Sequence, residues 1–299
     1  MVTDLGAGAD AVPAGPREGA LIDRVLDEGA SPPVLAAFQE LVLDHYRAFG
    51  RDLPWRHSAD PYAILVSEVM LQQTRVERVR GRWERFVDRF PDLEMLAGAP
   101  LAEVLSEWQG MGYNRRAVNL KRIAEAVVAD HGGVLPRDPD VLRTMPGLGA
   151  ATAASVSVFA YDNPVAFVET NVRAVYLHIF FSGIEGVKDA QIAPLAEEAL
   201  WREDPRVWHW ALMDYGVALK RALPNPSRRS AHHARQAAFE GSNRQLRGRI
   251  LRALLAAGPM TAQDVTAAVD GDQRAGDALL ALGREGLVEE SAGLFSIAD

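Results

Sequence analysis

Residues 145–173 read MPGLGAATAASVSVFAYDNPVAFVETNVR. Pro146-Gly147-Leu148-Gly149 is a tight turn whose glycines permit positive φ and a close backbone approach. The small apolar run from Ala150 to Phe159 follows and predicts a helix. The backbone N–H groups at a helix start have no intrahelical partner, and the helix dipole favours negative charge there, so a phosphate suits this turn. Pro164 then breaks the chain, and Val165-Ala166-Phe167-Val168 leads into the polar Glu169-Thr170-Asn171. Taken alone, a bare PGxG is more often just a turn joining two core helices. The alanines and the polar Glu-Thr-Asn downstream favour a site.

Working outward, the 299 residues suffice for a two-lobed domain and an appendage. Hydrophobic content of 48% supplies a core. No apolar run reaches the roughly 18 residues of a membrane span, and the N-terminus lacks the basic and apolar regions of a secretory signal. Cysteine is absent, which excludes disulfides, thiolate metal sites and cysteine nucleophiles together. The expected place is the cytoplasm, with the nucleoid. A net charge of −8 argues mildly against a nucleic-acid partner, but clustered basic residues outweigh net charge. Such a cluster lies between residues 220 and 252: Lys220, Arg221, Arg228, Arg229, Arg235, Arg244, Arg247, Arg249 and Arg252 face Glu240 alone, with His232 and His233 beside them. A charge run is usually a solvated face; beside a phosphate-binding turn it suits DNA.

Residues 1–30 are rich in Gly, Ala, Asp and Pro without a period and are expected to be disordered. From Pro33, apolar residues recur at helical spacing up to Gly50. Leu53-Pro54-Trp55-Arg56 is an irregular connector. Pro61 opens the helix PYAILVSEVMLQQTRV. In it, Glu68 is flanked by Ile64, Leu65, Val69 and Leu71 at i−4, i−3, i+1 and i+3. Burial there disfavours the ionised carboxylate, raises its pKa and suits it to donate a proton; a structural Glu bonded to a helix end is the alternative. Residues 75–90 read as one amphipathic helix with a basic face, and Gly110-Met111-Gly112-Tyr113 as a glycine-bounded loop with an aromatic tip. The tail, residues 242–299, carries three helical patterns and a short hairpin about Ala292-Gly293, the pattern of a winged-helix-like module.

Met145-Pro146-Gly147-Leu148-Gly149 resembles the hairpin of the helix-hairpin-helix DNA glycosylase superfamily, and Glu169-Thr170-Asn171-Val172 stands where that superfamily carries its catalytic acid, usually Asp. Ser67-Glu68-Val69-Met70-Leu71-Gln72-Gln73-Thr74 is similar, residue for residue, to the signature of its adenine mismatch glycosylases. The resemblance covers about residues 53–216. It implies an all-α, two-lobed glycosylase fold over residues 31–241, with a six-helix lobe at about 61–160 and a second lobe from 31–60 and 161–241. It implies Glu68 as catalytic acid and Glu169 as the acid at the sugar, with Asn171 orienting water or the carboxylate. Gln73 would wedge into the base stack, Tyr113 would lie beside the extruded base, and Trp55 and Arg56 would border its pocket. Gly147, Gly149, Ala151 and Thr152 of the hairpin, with Arg228 and Arg229, would hold DNA, with room for a monovalent cation at the hairpin. The partner would be double-stranded DNA carrying a mismatch or lesion, bound by a monomer.

The chain departs from this pattern in three places. Many relatives hold an iron–sulfur cluster on four cysteines; here Lys220 and Pro224-Asn225-Pro226-Ser227-Arg228-Arg229 stand at those positions, so no such cluster forms. Glu169 in place of Asp moves the carboxylate oxygens by about one ångström. Ala151 occupies the place of the catalytic lysine of lyase relatives of the endonuclease III type, so no imine forms at that position. The expectation is a monofunctional glycosylase for adenine opposite guanine or oxidised guanine. A glycosylase for thymine, uracil or an alkylated base, and a non-catalytic damage-binding protein, are the alternatives; keeping both Glu68 and Glu169 argues against the last.

Overall fold

The computed structural model describes residues 15–231 and 239–298. His232, His233 and Arg235 of the basic segment lie outside the described residues, as do the first fourteen. The helices are α1 (Pro16–Glu28), α2 (Pro32–Phe49), α3 (Pro61–Leu71), α4 (Val76–Val79), α5 (Arg82–Arg89), α6 (Leu93–Gly98), α7 (Leu101–Glu107), α8 (Arg115–His131), α9 (Pro139–Arg143), α10 (Ala150–Tyr161), α11 (Thr170–Ile179), α12 (Asp189–Glu198), α13 (Pro205–Ala222), α14 (Asn243–Ala257), α15 (Ala262–Ala268) and α16 (Ala275–Arg284). Three short strands, β1 (Met260–Thr261), β2 (Val288–Ser291) and β3 (Leu294–Ile297), form one antiparallel sheet in the order β1-β3-β2. Among the described residues no helix is long and apolar enough to cross a membrane.

The chain divides into two compact units, Met1–Leu53 with Ala150–Arg235, and Pro54–Gly149 with Gln236–Asp299. The lobe boundaries thus fall at 53 and 149, where the sequence reading put them at 60 and 160. The physical reason lies in α10, which is buried at every position from Ala153 to Ala160 within the first unit.

In the first unit Phe38 of α2 is fully buried among the rings of Tyr176, Phe180 and Trp208, edge-on at centroid distances of 5.4, 5.0 and 5.7 Å. Edge-to-face pairs at such distances add to the hydrophobic gain of burial. Residues 16–28 correct the expectation of a disordered arm. Pro16 sits in the first turn of α1, and Leu21, Ile22 and Val25 pack on this core. The buried Glu18 accepts from the Tyr215 hydroxyl and meets His178 Nε2 at 2.8 Å. An amphipathic turn with one satisfied buried acid thus overrides a composition typical of disorder.

In the second unit α3 is nearly wholly buried. Asp60 caps it, accepting from the N–H groups of Tyr62 at 3.1 Å and Ala63 at 3.2 Å, and Pro61 starts it. The single helix expected over 75–90 is broken at Gly81, φ +70°, into α4 and α5. The C-terminal module holds three helices and the three-stranded sheet: Gly258, φ +79°, ends α14, and Thr261 caps α15 through the Asp264 N–H at 3.2 Å. Ala292 and Gly293, at φ +52° and +77°, make the primed turn that suits a two-residue hairpin.

Candidate active site

Glu68 emerges from the most apolar helix of the second unit. Every residue from Tyr62 to Met70 is buried except Glu68, which is half-exposed. Glu68 is therefore the one residue from Tyr62 to Met70 that is not fully buried. Trp55 and Arg56 lie in a single 3-10 turn, Pro54–Arg56; Trp55 is 6% exposed and edge-on to Trp83 at 6.2 Å, so its indole is core packing, with Arg56 half-buried beside it.

Just past α3, two loops carry the candidate wedge residues, and both are strained. Gln73 is exposed at φ +53°, and Tyr113 is half-buried at φ +49°. Non-glycine residues there cost about 1 kcal/mol or more and persist only where neighbours hold them. The holding group is Arg116, which is 7% exposed. Its Nη1 donates to the carbonyls of Val69 and Met70 at 2.9 Å each and Gln72 at 2.6 Å. Its Nη2 donates to Thr74 Oγ1 at 3.0 Å and to the carbonyls of Met111 and Gly112 at 3.4 and 3.1 Å. One guanidinium thus ties the end of α3, the Gln73 loop and the Tyr113 loop together. Burial pulls its pKa down to about 10, so it stays charged at neutral pH.

The hairpin turn is fixed from the same side. Gln72 Nε2 donates to the Gly147 carbonyl at 3.1 Å. Gly147 has φ +80°, and a Cβ there would lie 2.3 Å from Asn119 Nδ2. Gly149 differs from the expectation: its φ is not positive and nothing lies within 4 Å of an added Cβ. The position is open and makes no demand on backbone conformation. Ala151 and Thr152 follow, half-buried in the first turn of α10.

In the first unit Glu169 is the N-cap of α11. Its Oε1 accepts from the N–H groups of Asn171 at 2.7 Å and Val172 at 3.0 Å, and Asn171 Nδ2 donates to Oε2 at 3.3 Å. The extra methylene relative to Asp is absorbed by curling back onto the helix start. α13 packs close by: a Cβ on Gly216 would lie 2.3 Å from the Asn171 carbonyl. Lys220 lies one turn further along α13. Burial lowers its pKa, and the Glu169 charge opposes that shift.

Residues 66–200 match the HhH-GPD superfamily base excision DNA repair protein family. The adenine DNA glycosylase of Mycolicibacterium smegmatis is 38% identical over 282 residues, spanning 85% of this chain and 93% of that protein. The chain belongs to the helix-hairpin-helix DNA glycosylase superfamily. The adenine DNA glycosylase of Mycobacterium tuberculosis is 36% identical over 242 residues, 72% of this chain and 78% of its own. Among solved structures, a thermostable thymine-DNA glycosylase superposes with a TM-score of 0.55 at 27% identity, over 61% of this chain and 85% of that one.

As a member of this superfamily without a single cysteine, the chain offers no ligand for a thiolate-held cluster. Hydrogen bonds fasten the corresponding segment instead. Asn225 Oδ1 accepts from the Ser227 N–H at 3.0 Å, and Ser227 Oγ donates to the Thr170 carbonyl at 3.1 Å. Arg229 is turned inward, donating to the carbonyls of Phe181 at 2.9 Å and Leu177 at 2.7 Å at the end of α11. Carbonyls at the end of α11 need donors, and Arg229 supplies them, a structural task beside the phosphate contact expected of it. Arg228 is exposed.

Sequence reasoning missed Arg116 and Gln72, and placed Arg244 only within the basic segment, not beside Tyr113. Arg244 of α14 donates to the Tyr113 hydroxyl, and its guanidinium lies 5.4 Å from that ring's centroid. The Arg116 guanidinium lies 5.5 Å from the same centroid. No local pattern separates Arg116 from its exposed neighbour Arg115; only the approach of two loops does.

Proposed function

We propose that this chain is a monofunctional DNA glycosylase that hydrolyses the N-glycosidic bond of a mispaired base, adenine opposite guanine or oxidised guanine. The observation that carries the reading is Glu68: a carboxyl on an otherwise buried helix, five residues before Gln73 in a clamped loop. Glu68 protonates the purine so that it departs as a neutral base. The sugar becomes oxocarbenium-like, and the Glu169 carboxylate, aimed by Asn171, stabilises that charge or bonds to it transiently. The base leaves the stack first, with Gln73 as wedge and Tyr113 beside it. The open backbone at Gly149 and the first turn of α10 take phosphate, the hairpin seats a monovalent cation, and Arg228 adds a phosphate contact. The protein acts as a monomer on duplex DNA in the cytoplasm.

Ala151 has no amine, so the product is an intact abasic site. A thymine-specific activity is the second reading, favoured by the likeness to the thymine-DNA glycosylase. A panel of duplexes with single mispairs or lesions tests both. The expected result is adenine release, strand breaks only after alkali, and no borohydride-trapped adduct. Release of thymine alone would favour the second reading. Efficient trapping would overturn the monofunctional assignment.

A further inference from the structure

The C-terminal module distributes its charge unevenly. α14 carries Arg244, Arg247, Arg249 and Arg252 and no acid. Residues 258–298 carry seven acids against Arg274 and Arg284. In helix-turn-helix docking, the second helix of the motif enters the major groove. Here that helix is α16, with the exposed Asp277, and the wing presents the exposed Glu289 and Glu290. Asp264 and Asp270 are exposed on the α15 side. Phosphates approaching those faces meet like charge.

The basic face of α14 lines a groove of about 720 Å³. All four α14 arginines border it, and Gln72, Gln73 and Tyr113 border it too, all within the second unit. Two of the four are committed to carboxylates: Arg247 makes two 2.7 Å bonds to Glu285, and Arg249 bonds Asp270 at 2.6 Å. Arg244 sits on Tyr113, and Arg252 is exposed.

We infer that the module binds DNA through α14, its first helix, and that Arg244 and Arg252 take phosphates of the strand running past Gln73 and Tyr113. The wing and α16 stay off the duplex. Arg244 is also a positioning residue for Tyr113, because one guanidinium spans the ring and the groove. The inference rests on the DNA glycosylase reading, and commits to the polyanionic backbone because the groove wall is cationic while the rest of the module is acidic.

The test is the salt dependence of binding by the full chain to a duplex with a tetrahydrofuran abasic analogue. Each phosphate contact contributes about 0.9 to the slope of log affinity against log salt. Arg252→Gln, remote from Tyr113 in sequence and hydrogen bonding, should flatten the slope by about one unit. Arg244→Gln with Arg252→Gln should flatten it by about two. Arg274→Gln with Arg284→Gln should leave it unchanged. An unchanged slope in the first two proteins would overturn the inference and leave the module to a protein partner. Flattening only in the Arg274/Arg284 protein would overturn it in favour of wing docking. Base release from a mispaired duplex is measured in parallel: release by the wild type with an unmoved slope fails the surface alone, whereas a flattened slope without release fails the glycosylase reading alone.

Discussion

Arg116 donates to the carbonyl of Gln72 at 2.6 Å, and that bond joins a buried cation to the backbone next to the strained Gln73. Five other acceptors share the guanidinium, on α3 and on both loops. Arg116→Lys keeps the charge but offers three donors without the planar fork. It should lower stability by about 2–3 kcal/mol, because buried carbonyls lose their partners. It should also slow base release more than it weakens binding to undamaged duplex. Chemical denaturation with single-turnover kinetics checks both. Unchanged stability would mean that the loops hold themselves.

The two hairpin glycines should behave differently. Gly147→Ala places a methyl 2.3 Å from Asn119 Nδ2 at φ +80°, so it should destabilise the fold by about 1–3 kcal/mol. Gly149→Ala meets nothing within 4 Å and has no positive φ to lose. It should leave the melting temperature within about a degree or two and, on the proposed phosphate contact at this turn, still weaken DNA binding. Melting curves and binding isotherms on the two variants separate conformation from access. Equal melting losses would contradict the assignment.

Acid should unfold the first unit in part through His209. The ring is 1% exposed, stacks on Phe167 at 4.0 Å and faces the Val165 carbonyl at 3.0 Å. Burial pulls its pKa down to about 4, against an ordinary value of 6.5. The unfolded chain therefore binds the proton first as pH falls. The contribution of the neutral ring is whole above about pH 6.5 and is lost as pH falls through about 4, a change of roughly 3 kcal/mol. His209→Gln should flatten the fall in stability between pH 6.5 and 4, and denaturant midpoints across that range report it. An identical pH profile would show that the buried imidazole does not titrate.

Much of this was legible in residues whose roles are local. Pro61 starts α3, Thr261 starts α15, Gly258 ends α14, and Ala292-Gly293 turns the wing, each by backbone rules that act within four residues. The apolar surroundings of Glu68 were legible because its neighbours lie on the same helix. What escaped depends on partners far along the chain. α1 is held by Glu18 meeting Tyr215, and Arg116 works on carbonyls more than forty residues earlier. Arg228 and Arg229 look alike in sequence, and only the end of α11 distinguishes them. The same holds for Gln72 and Gln73, one bonded to the hairpin and the other exposed.

Base release by Glu68→Gln tests the central claim most directly. The substitution keeps the size and hydrogen-bonding capacity of the side chain but cannot deliver a proton. Under single-turnover conditions, on a duplex with adenine opposite 8-oxoguanine, binding should stay within about twofold of wild type. Base release should fall by about a hundredfold or more, the scale of a positioned general acid. Release within about tenfold of wild type, roughly 1.4 kcal/mol in the barrier, would contradict the assignment of Glu68 as the proton donor.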